Sequence, residues 1–299
     1  MLLSLILFLK KLFERIINFL LNQIYTDNII NTALSEDINY IDVTTDNLIP
    51  DVHLSSAYFI AKDDGVLCGI DIAMRVFELA GGNVSGEILI KDGSYVKKGD
   101  IIANLSGSTK TLLKGERTAL NILQHMSGIA TATNKCVKLA EGTNAKITDT
   151  RKTLPGLRAL QKYAVTMGGG RNHRFNLSDG AMLKDNHIDA YGSITGAVTA
   201  LREKCGHMVK TEVEVRNFEE LQEALDNKCE VIMLDNMTPD DMKKAVEITA
   251  GRALLEASGN ITLENLRETA LTGVDIISLG ALTHSVKCFD ISMRIKTVK

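Results

Sequence analysis

Two hydrophobic periodicities divide the chain. Between residues 55 and 108, short alternating apolar runs break at Asp-Gly and Gly-Asp pairs, which predicts an antiparallel β layer with a hairpin at the Asp-Asp-Gly of residues 63–65. From residue 145 onward, six short apolar runs alternate with helical segments such as FEELQEALDN. Regular strand and helix alternation implies parallel strands with right-handed crossovers. A (β/α) barrel fits this spacing best, and an open doubly wound sheet is the second choice.

Helical spacing accounts for most of the remaining chain. The apolar run before Lys10 is nine residues, too short to cross a bilayer, which takes about 20. We therefore expect residues 1–24 to form an amphipathic helix that packs on the body or on a second subunit, and we do not favour membrane contact. Residues 25–37 predict a second helix with Thr26 and Asp27 as its cap, followed by a polar turn. Residues 116–140 predict a long helix in which Gly128 allows close packing.

Composition excludes several functional classes. The 299 residues carry a net charge of −3 and no Trp, which argues against a general nucleic-acid binder. The five cysteines are widely spaced and odd in number. A disulfide framework or a structural zinc site is therefore not expected, and a reducing cytoplasm is the natural compartment.

Positive charge is concentrated between Thr148 and Ile188 in an otherwise slightly acidic protein. A local positive field of this kind predicts an anionic ligand. The basic and histidine side chains of this stretch are Arg151, Lys152, Arg158, Lys162, Arg171, His173, Arg174, Lys184 and His187.

Each of the six apolar runs ends in a polar or small group. In a (β/α) barrel the chemistry lies at the carboxyl ends of the strands, so these groups are candidate site residues. They are Arg151 with Lys152, Lys184, Glu214, Asp235, Ser258 with Gly259, and Gly280.

The candidate residues carry both signs of charge. Arg151, Arg174 and Lys184 could clamp two carboxylates or phosphates, with arginine binding bidentately. Glu214 and Asp235 could hold Mg²⁺ together with substrate oxygen atoms, or Glu214 could form an ion pair with a lysine. The small residues of Ser258-Gly259-Asn260 and Ser278-Leu279-Gly280 could expose backbone N–H groups to a phosphate, or could simply form tight turns.

Several motifs, taken in order, resemble one family. TRKTLPGLR, KYAVTMGGGRNHRFNLSDGAMLKDNHI, EVEV, IMLDNM, EASGNI and GVDIISLGALTHS are similar to the quinolinate phosphoribosyltransferases. The resemblance extends from residue 25 to about residue 295. Tyr40 departs from the family pattern, which has Gly before Asp-Val-Thr, and the first 24 residues have no counterpart.

The resemblance implies a fold and an assembly. The fold class is α/β, with an incomplete (β/α) barrel of about seven strands and an N-terminal α+β sandwich domain. The implied boundaries are residues 25–128, joined by 288–299, for the sandwich and residues 129–287 for the barrel. The family forms homodimers with shared active sites, so Arg117 would reach the neighbouring subunit's pocket.

The resemblance also implies a reaction. Quinolinate and phosphoribosyl pyrophosphate would give nicotinate mononucleotide, pyrophosphate and CO₂, with Mg²⁺ as cofactor. Glu214 and Asp235 would lie near the ribose and the metal, and Lys152 would lie beside the reacting centre, so these three are the candidate catalytic residues. The implied substrate-binding set is Arg117, Thr150, Arg151, Lys152, His173, Arg174, Lys184, Glu214, Asp235, Ser258, Gly259, Asn260, Ser278, Leu279 and Gly280.

Two alternatives remain open at this point. One is a related phosphoribosyltransferase of the same fold that uses another aromatic acid, such as nicotinate. The other is a non-catalytic anion-binding scaffold, although such a scaffold gains nothing from Glu214 and Asp235 in its pocket. Turnover assays with the two acids separate these readings.

Overall fold

Antiparallel and parallel sheets occupy separate parts of the chain, as the change in periodicity predicts. The structure, a computed structural model, describes residues 21–296. The helix predicted within residues 1–24 falls mainly on residues 1–20, which lie outside the described part. The first elements are α1 (Gln23–Asp37), α2 (Val43–Leu48), β1 (Leu54–Ala61), β2 (Gly65–Val66), α3 (Ile70–Leu79), β3 (Val84–Ile88), β4 (Tyr95–Val96), β5 (Ile101–Ser108) and α4 (Thr109–Leu139).

The remaining elements alternate between strand and helix. They are β6 (Lys146–Thr148), α5 (Arg158–Met167), β7 (Ala181–Leu183), α6 (Asp185–Tyr191), α7 (Ile194–Lys204), β8 (Thr211–Val215), α8 (Phe218–Asp226), β9 (Val231–Asp235), α9 (Pro239–Thr249), β10 (Leu254–Ser258), α10 (Leu266–Ala270), β11 (Ile276–Ser278), α11 (Ala281–His284) and β12 (Ile291–Lys296).

The first compact unit contains the antiparallel sheet. It comprises residues 21–134, 153–169 and 283–296 of the described chain. Its four-stranded sheet has the order β12-β1-β5-β3, and a separate two-stranded sheet pairs β2 with β4. The predicted hairpin at residues 63–65 is wrong, because β1 pairs with β5 and β12 and not with β2.

Local hydrogen bonds set the helix starts in this unit. Helix α1 is capped by Asn22, whose side chain accepts the N–H of Ile24, so the predicted cap at Thr26 and Asp27 is four residues too late. The polar turn expected before Pro50 contains α2, which Asp42 caps by accepting two backbone N–H groups.

The long helix α4 packs closely, as predicted. A Cβ atom at Gly128 would lie 2.3 Å from the backbone oxygen of Lys287, a distance that no real Cβ contact allows. Only glycine therefore fits at this point of the helix.

The second unit contains the parallel sheet and comprises residues 135–152 and 170–282. All six predicted strands form, in the order β6-β11-β10-β9-β8-β7. A one-residue parallel bridge between Thr148 and Arg171 continues the sheet beyond β6. The predicted fold class, an incomplete barrel with an antiparallel-sheet domain, is confirmed.

Register brings the strand ends of the second unit level with one another. Ser258 pairs with Asp235 between β10 and β9, and Ser278 pairs with Thr148 between β11 and β6. The helices that follow β8 and β9 start on side-chain caps, at Asn217 and at Thr238. Polar groups that end neighbouring strands therefore meet at one edge of the sheet.

Within residues 21–296, none of the helices is both long enough and apolar enough to cross a membrane.

Candidate active site

A cavity of about 620 Å³ lies at the carboxyl ends of the parallel strands. Every residue that lines it belongs to the second unit. The lining combines basic, acidic and small polar side chains with two methionines. Its members are Thr150, Arg151, Lys152, His173, Arg174, Met182, Lys184, Glu214, Met233, Asp235, Asn236, Glu256, Ser258, Gly259, Asn260 and Ser278.

Arg151 and Lys152 enter the cavity from the turn after β6. The hydroxyl of Thr150 accepts the backbone N–H of Lys152 at 3.0 Å and shapes this turn. The Nε atom of Arg151 is buried and has no hydrogen-bond partner. A buried unpaired donor is costly, so this nitrogen is prepared for an acceptor that a ligand would bring.

Arg174 supplies a second guanidinium beside the first. One of its terminal nitrogens donates to the carbonyl oxygen of Gly180 at 2.8 Å, and the other lies 3.5 Å from the sulfur of Met182. Burial lowers the pKa of Arg174, and the positive charge of Arg151 lowers it further. The repulsion that Arg174 experiences from Arg151 favours an anion between the two guanidinium groups.

His173 is held by two buried acids. Its Nε2 atom lies 3.0 Å from Glu212 and 3.5 Å from Glu256, whose side chains are 9% and 1% exposed. Its backbone N–H donates to the buried Asp149 at 3.0 Å. The three ligating atoms of His173, Glu212 and Glu256 lie within 4.8 Å of one another, and the 3.0 Å separation is that of a hydrogen bond.

This cluster retains an additional proton. Burial lowers the pKa of His173, but hydrogen bonds and charge from Glu212 and Glu256 outweigh burial and raise the pKa to about 10. The backbone N–H of Arg174 donates to Nδ1 at 2.8 Å, so the ring proton is on Nε2. Burial and the charge of Glu256 raise the pKa of Glu212. His173 and Glu212 therefore share the additional proton across their 3.0 Å hydrogen bond, and this proton offsets the charge of two adjacent acids.

Lys184 and Glu214 form the ion pair that the sequence left as one alternative. Lys184 follows β7, Glu214 lies in β8, and their side chains meet at 2.8 Å. Glu212 and Glu214 lie on the same face of β8, as strand alternation predicts. The lysine thus offsets the negative charge of Glu214 at the mouth of the cavity.

The end of β9 and the turn after β10 form the remaining wall. Asn236 donates to the carboxylate of Asp235 at 2.8 Å and accepts from the side chain of Asn260 at 2.9 Å. The hydroxyl of Ser278, at the end of β11, is buried without a partner. This wall therefore presents one carboxylate, one glycine turn and an unused hydroxyl.

Most of the predicted site residues meet in this cavity, and three do not line it. Arg117 is exposed on α4 in the first unit. Leu279 is buried and donates its N–H to Thr148 at 3.0 Å, and Gly280 is half-buried.

The sequence reasoning missed four residues of the lining, Met182, Met233, Asn236 and Glu256. Glu256 had a usable signal, because it stands two residues before Ser258 and alternation places both on one face of β10. Asn236 had none, since its role depends on partners across a turn.

Family models cover nearly the whole described chain. Residues 129–294 match the model described as "Quinolinate phosphoribosyl transferase, C-terminal domain", and residues 42–127 match the corresponding N-terminal domain. The probable nicotinate-nucleotide pyrophosphorylase [carboxylating] of Bacillus subtilis is 45% identical over 91% of this chain and 94% of its own length. The nicotinate-nucleotide pyrophosphorylase [carboxylating] of Mycobacterium leprae is 43% identical over 88% of this chain and 95% of its own.

Solved structures agree with these matches. NadC from Streptococcus pyogenes superposes with a TM-score of 0.88 at 39% identity, over 91% of this chain and 97% of that chain. The nicotinate-nucleotide pyrophosphorylase of Francisella tularensis superposes with a TM-score of 0.88 at 40% identity, over 91% and 96%.

Proposed function

The chain belongs to the quinolinate phosphoribosyltransferase family, and on this premise we propose that it transfers phosphoribosyl to quinolinate with loss of CO₂, giving nicotinate mononucleotide for NAD biosynthesis. The observation that carries the proposal is a single cavity lined by both basic and acidic side chains. The basic side chains suit a planar dicarboxylate. The acidic side chains suit a metal-bound, charged sugar phosphate.

The diacid is bound by the basic side chains. Arg151, Arg174, Lys184 and His173 surround the space in which two carboxylates would lie. The buried Nε atom of Arg151 supports this assignment, because a substrate carboxylate would supply its missing acceptor. Arginine suits the task, since its planar fork matches carboxylate geometry.

The phosphoribosyl donor is bound by the wall that the end of β9, the turn after β10 and the end of β11 form. The 5-phosphate takes N–H groups from the turn of Ser258, Gly259 and Asn260 and the hydroxyl of Ser278. The N–H of Leu279 is already bonded to Thr148, so Leu279 and Gly280 shape this strand end without lining the cavity. The unpaired hydroxyl of Ser278 supports this assignment. The ribose lies against Glu214 and Asp235.

Mg²⁺ fits the same acids. An ammonium group lies 2.8 Å from Glu214, so a cation at this carboxylate is compatible with the site, and carboxylate and phosphate oxygens are the ligands that Mg²⁺ prefers. Glu214 and Asp235 would hold it, directly or through water, and it would offset negative charge on the departing pyrophosphate.

The reaction requires charge stabilisation more than proton transfer. A bond forms between the pyridine nitrogen and C1 of the ribose as the bond from C1 to pyrophosphate breaks. Positive charge grows on the ribose, where the carboxylates of Glu214 and Asp235 stabilise it, and Lys152 offsets the leaving group. The bond from C2 to its carboxylate then breaks, and CO₂ departs. The electron pair of that bond stays on C2, where the adjacent positively charged nitrogen stabilises it, and a solvent proton then binds to C2.

A homodimer would complete the site. Arg117 is exposed and is absent from the cavity lining, which supports a role in the pocket of a second subunit. Mixing Arg117→Ala and Arg151→Ala proteins would then restore activity, because a hybrid dimer retains one intact site. If the mixture stays as inactive as its components, each site belongs to a single subunit.

The proposed location is the cytoplasm. All five cysteines are free thiols, and three of them are buried. This pattern suits a reducing compartment.

A labelled-substrate assay tests the reaction. Quinolinate labelled with ¹³C in the carboxylate at C2 should release labelled CO₂ and yield an equal amount of nicotinate mononucleotide when phosphoribosyl pyrophosphate and Mg²⁺ are present. Turnover of nicotinate but not of quinolinate would indicate the related transferase instead. Binding of quinolinate without turnover of either acid would indicate an anion-binding scaffold.

A further inference from the structure

Asn236 joins two parts of the acidic wall, which is the cavity wall formed by the end of β9 and the turn after β10. These two parts are distant from each other in the sequence. It follows Asp235 directly at the end of β9, and its backbone is left-handed, with φ of 53°. Asparagine tolerates this conformation better than most residues do. The turn conformation aims the side chain across the gap between β9 and β10.

Three hydrogen bonds fix the Asn236 amide and backbone. Its backbone N–H donates to the carbonyl oxygen of Ser258 at 3.0 Å. Its side-chain nitrogen donates to the carboxylate of Asp235 at 2.8 Å, and its side-chain oxygen accepts from Asn260 at 2.9 Å. A carboxylate can only accept and Asn260 donates, so the orientation of the amide is determined by its partners.

The glycine turn packs directly against this amide. Gly259 has φ of 90°, and a Cβ atom there would lie 2.3 Å from the side-chain oxygen of Asn236. Asn260, also left-handed, is tied in turn to Asn265, whose side chain donates to the Asn260 carbonyl at 3.1 Å. The carboxylate of Asp235 and the turn of residues 258–260 are therefore linked through one side chain.

We propose that Asn236 is a positioning residue that holds the Asp235 carboxylate and the 258–260 turn at a fixed spacing, so that the ribose end and the 5-phosphate end of the phosphoribosyl donor are recognised together. The inference rests on the proposed function, because it assigns the donor to this wall. The neutral amide of Asn236 donates to one oxygen atom of Asp235 but does not neutralise its charge. The carboxylate therefore remains able to stabilise a cation.

This role predicts an effect on one substrate only. The Asn236 amide lies on the acidic wall, whereas the basic groups assigned to quinolinate have other partners. Loss of the amide should therefore weaken use of the phosphoribosyl donor and leave quinolinate binding unchanged. A merely structural residue would alter both constants or neither.

Asn236→Gly is the sharpest variant, because glycine keeps the left-handed backbone and removes only the side chain. We expect KM for phosphoribosyl pyrophosphate to rise about tenfold, as for loss of a hydrogen bond to a charged group, with KM for quinolinate within twofold. Asn83→Gly is the matched control. It makes the same change at an exposed left-handed asparagine (φ 57°) in the first unit and should alter neither constant.

Asn236→Asp is the second variant, since it exchanges the donor nitrogen for an oxygen and keeps the shape. It should raise KM for the donor at least as much as Asn236→Gly does, because two carboxylates would then face each other. An unchanged KM for the donor in either folded variant, or equal rises in both KM values, would overturn the positioning role. Failure of the unaltered protein to turn over quinolinate would instead refute the proposed function.

Discussion

The buried Nε atom of Arg151 predicts that removing this guanidinium group weakens quinolinate binding but stabilises the ligand-free protein. Arg151→Met keeps an unbranched side chain as far as the position of Nε and removes the charge and the donors. A buried donor without a partner costs about 1–3 kcal/mol, and Arg151 also repels Arg174, whose pKa it lowers after the larger effect of burial. The ligand-free variant should therefore be more stable than the unaltered protein.

The size of both effects follows from these contacts. If the loss of the unpaired donor and of the repulsion raises the free energy of unfolding by about 1 kcal/mol, the midpoint of thermal unfolding should rise by ~2–4 °C in a chain of this size. A charge-assisted hydrogen bond contributes about 1.5–3 kcal/mol, and each 1.4 kcal/mol is about tenfold in affinity. KM for quinolinate should then rise by roughly 10- to 100-fold, with KM for phosphoribosyl pyrophosphate unchanged.

Thermal unfolding without substrates and steady-state kinetics measure the two effects. Arg151→Lys separates charge from geometry, because it keeps the repulsion of Arg174 but loses the Nε donor and the planar fork. It should raise KM for quinolinate less than Arg151→Met does, and it should also stabilise the ligand-free protein less, because the repulsion of Arg174 remains. Arg294→Met removes an exposed positive charge in β12 and should change neither quantity. An Arg151→Met protein that is less stable and binds quinolinate normally would refute the reasoning.

Three further predictions concern the reaction, the buried cluster and the fold. Glu214→Gln should lower kcat about 100-fold or more, measured by CO₂ release, and a kcat near that of the unaltered protein would remove Glu214 from the reaction. The raised pKa of His173 stabilises the folded state fully below about pH 6.5, and this stability is lost as pH rises through about 10. The free energy of unfolding in urea should therefore fall more steeply between pH 7 and 10 in the unaltered protein than in His173→Gln, and parallel curves would contradict it. Gly128→Ala should cost about 1–3 kcal/mol because its Cβ would collide with the backbone at Lys287, whereas Gly206→Ala, with open space around it, should be nearly neutral by the same urea measurement.

Strand ends were predictable because each depends on a local pattern. The six apolar runs after residue 145 all form strands, and polar groups that end them line the cavity. Parallel register then brings together groups that are far apart in sequence, such as Lys184 and Glu214. No knowledge of side-chain partners was needed for this step.

Features that depend on distant partners were not predictable in the same way. The hairpin at residues 63–65 fails because the partners of β1 are β5 and β12, and β12 is formed by the last described residues. Asn236 escaped notice because its role depends on a left-handed turn and on Asn260, 24 residues later. Glu256, in contrast, could have been found from the sequence. An acid inside an apolar run is conspicuous, and strand alternation places it on the same face of β10 as Ser258.

The position of β12 has a consequence for how the protein is made. Strand β1 pairs at six positions with β12, so one edge of the first sheet stays unpaired on the ribosome until residues 291–296 emerge. At ordinary rates of synthesis, the intervening residues take on the order of 10–50 s. An exposed strand edge invites pairing with other chains during that interval. Nascent chains of this protein should therefore depend on chaperones until β12 has emerged, and a chain that stops before β12 should aggregate.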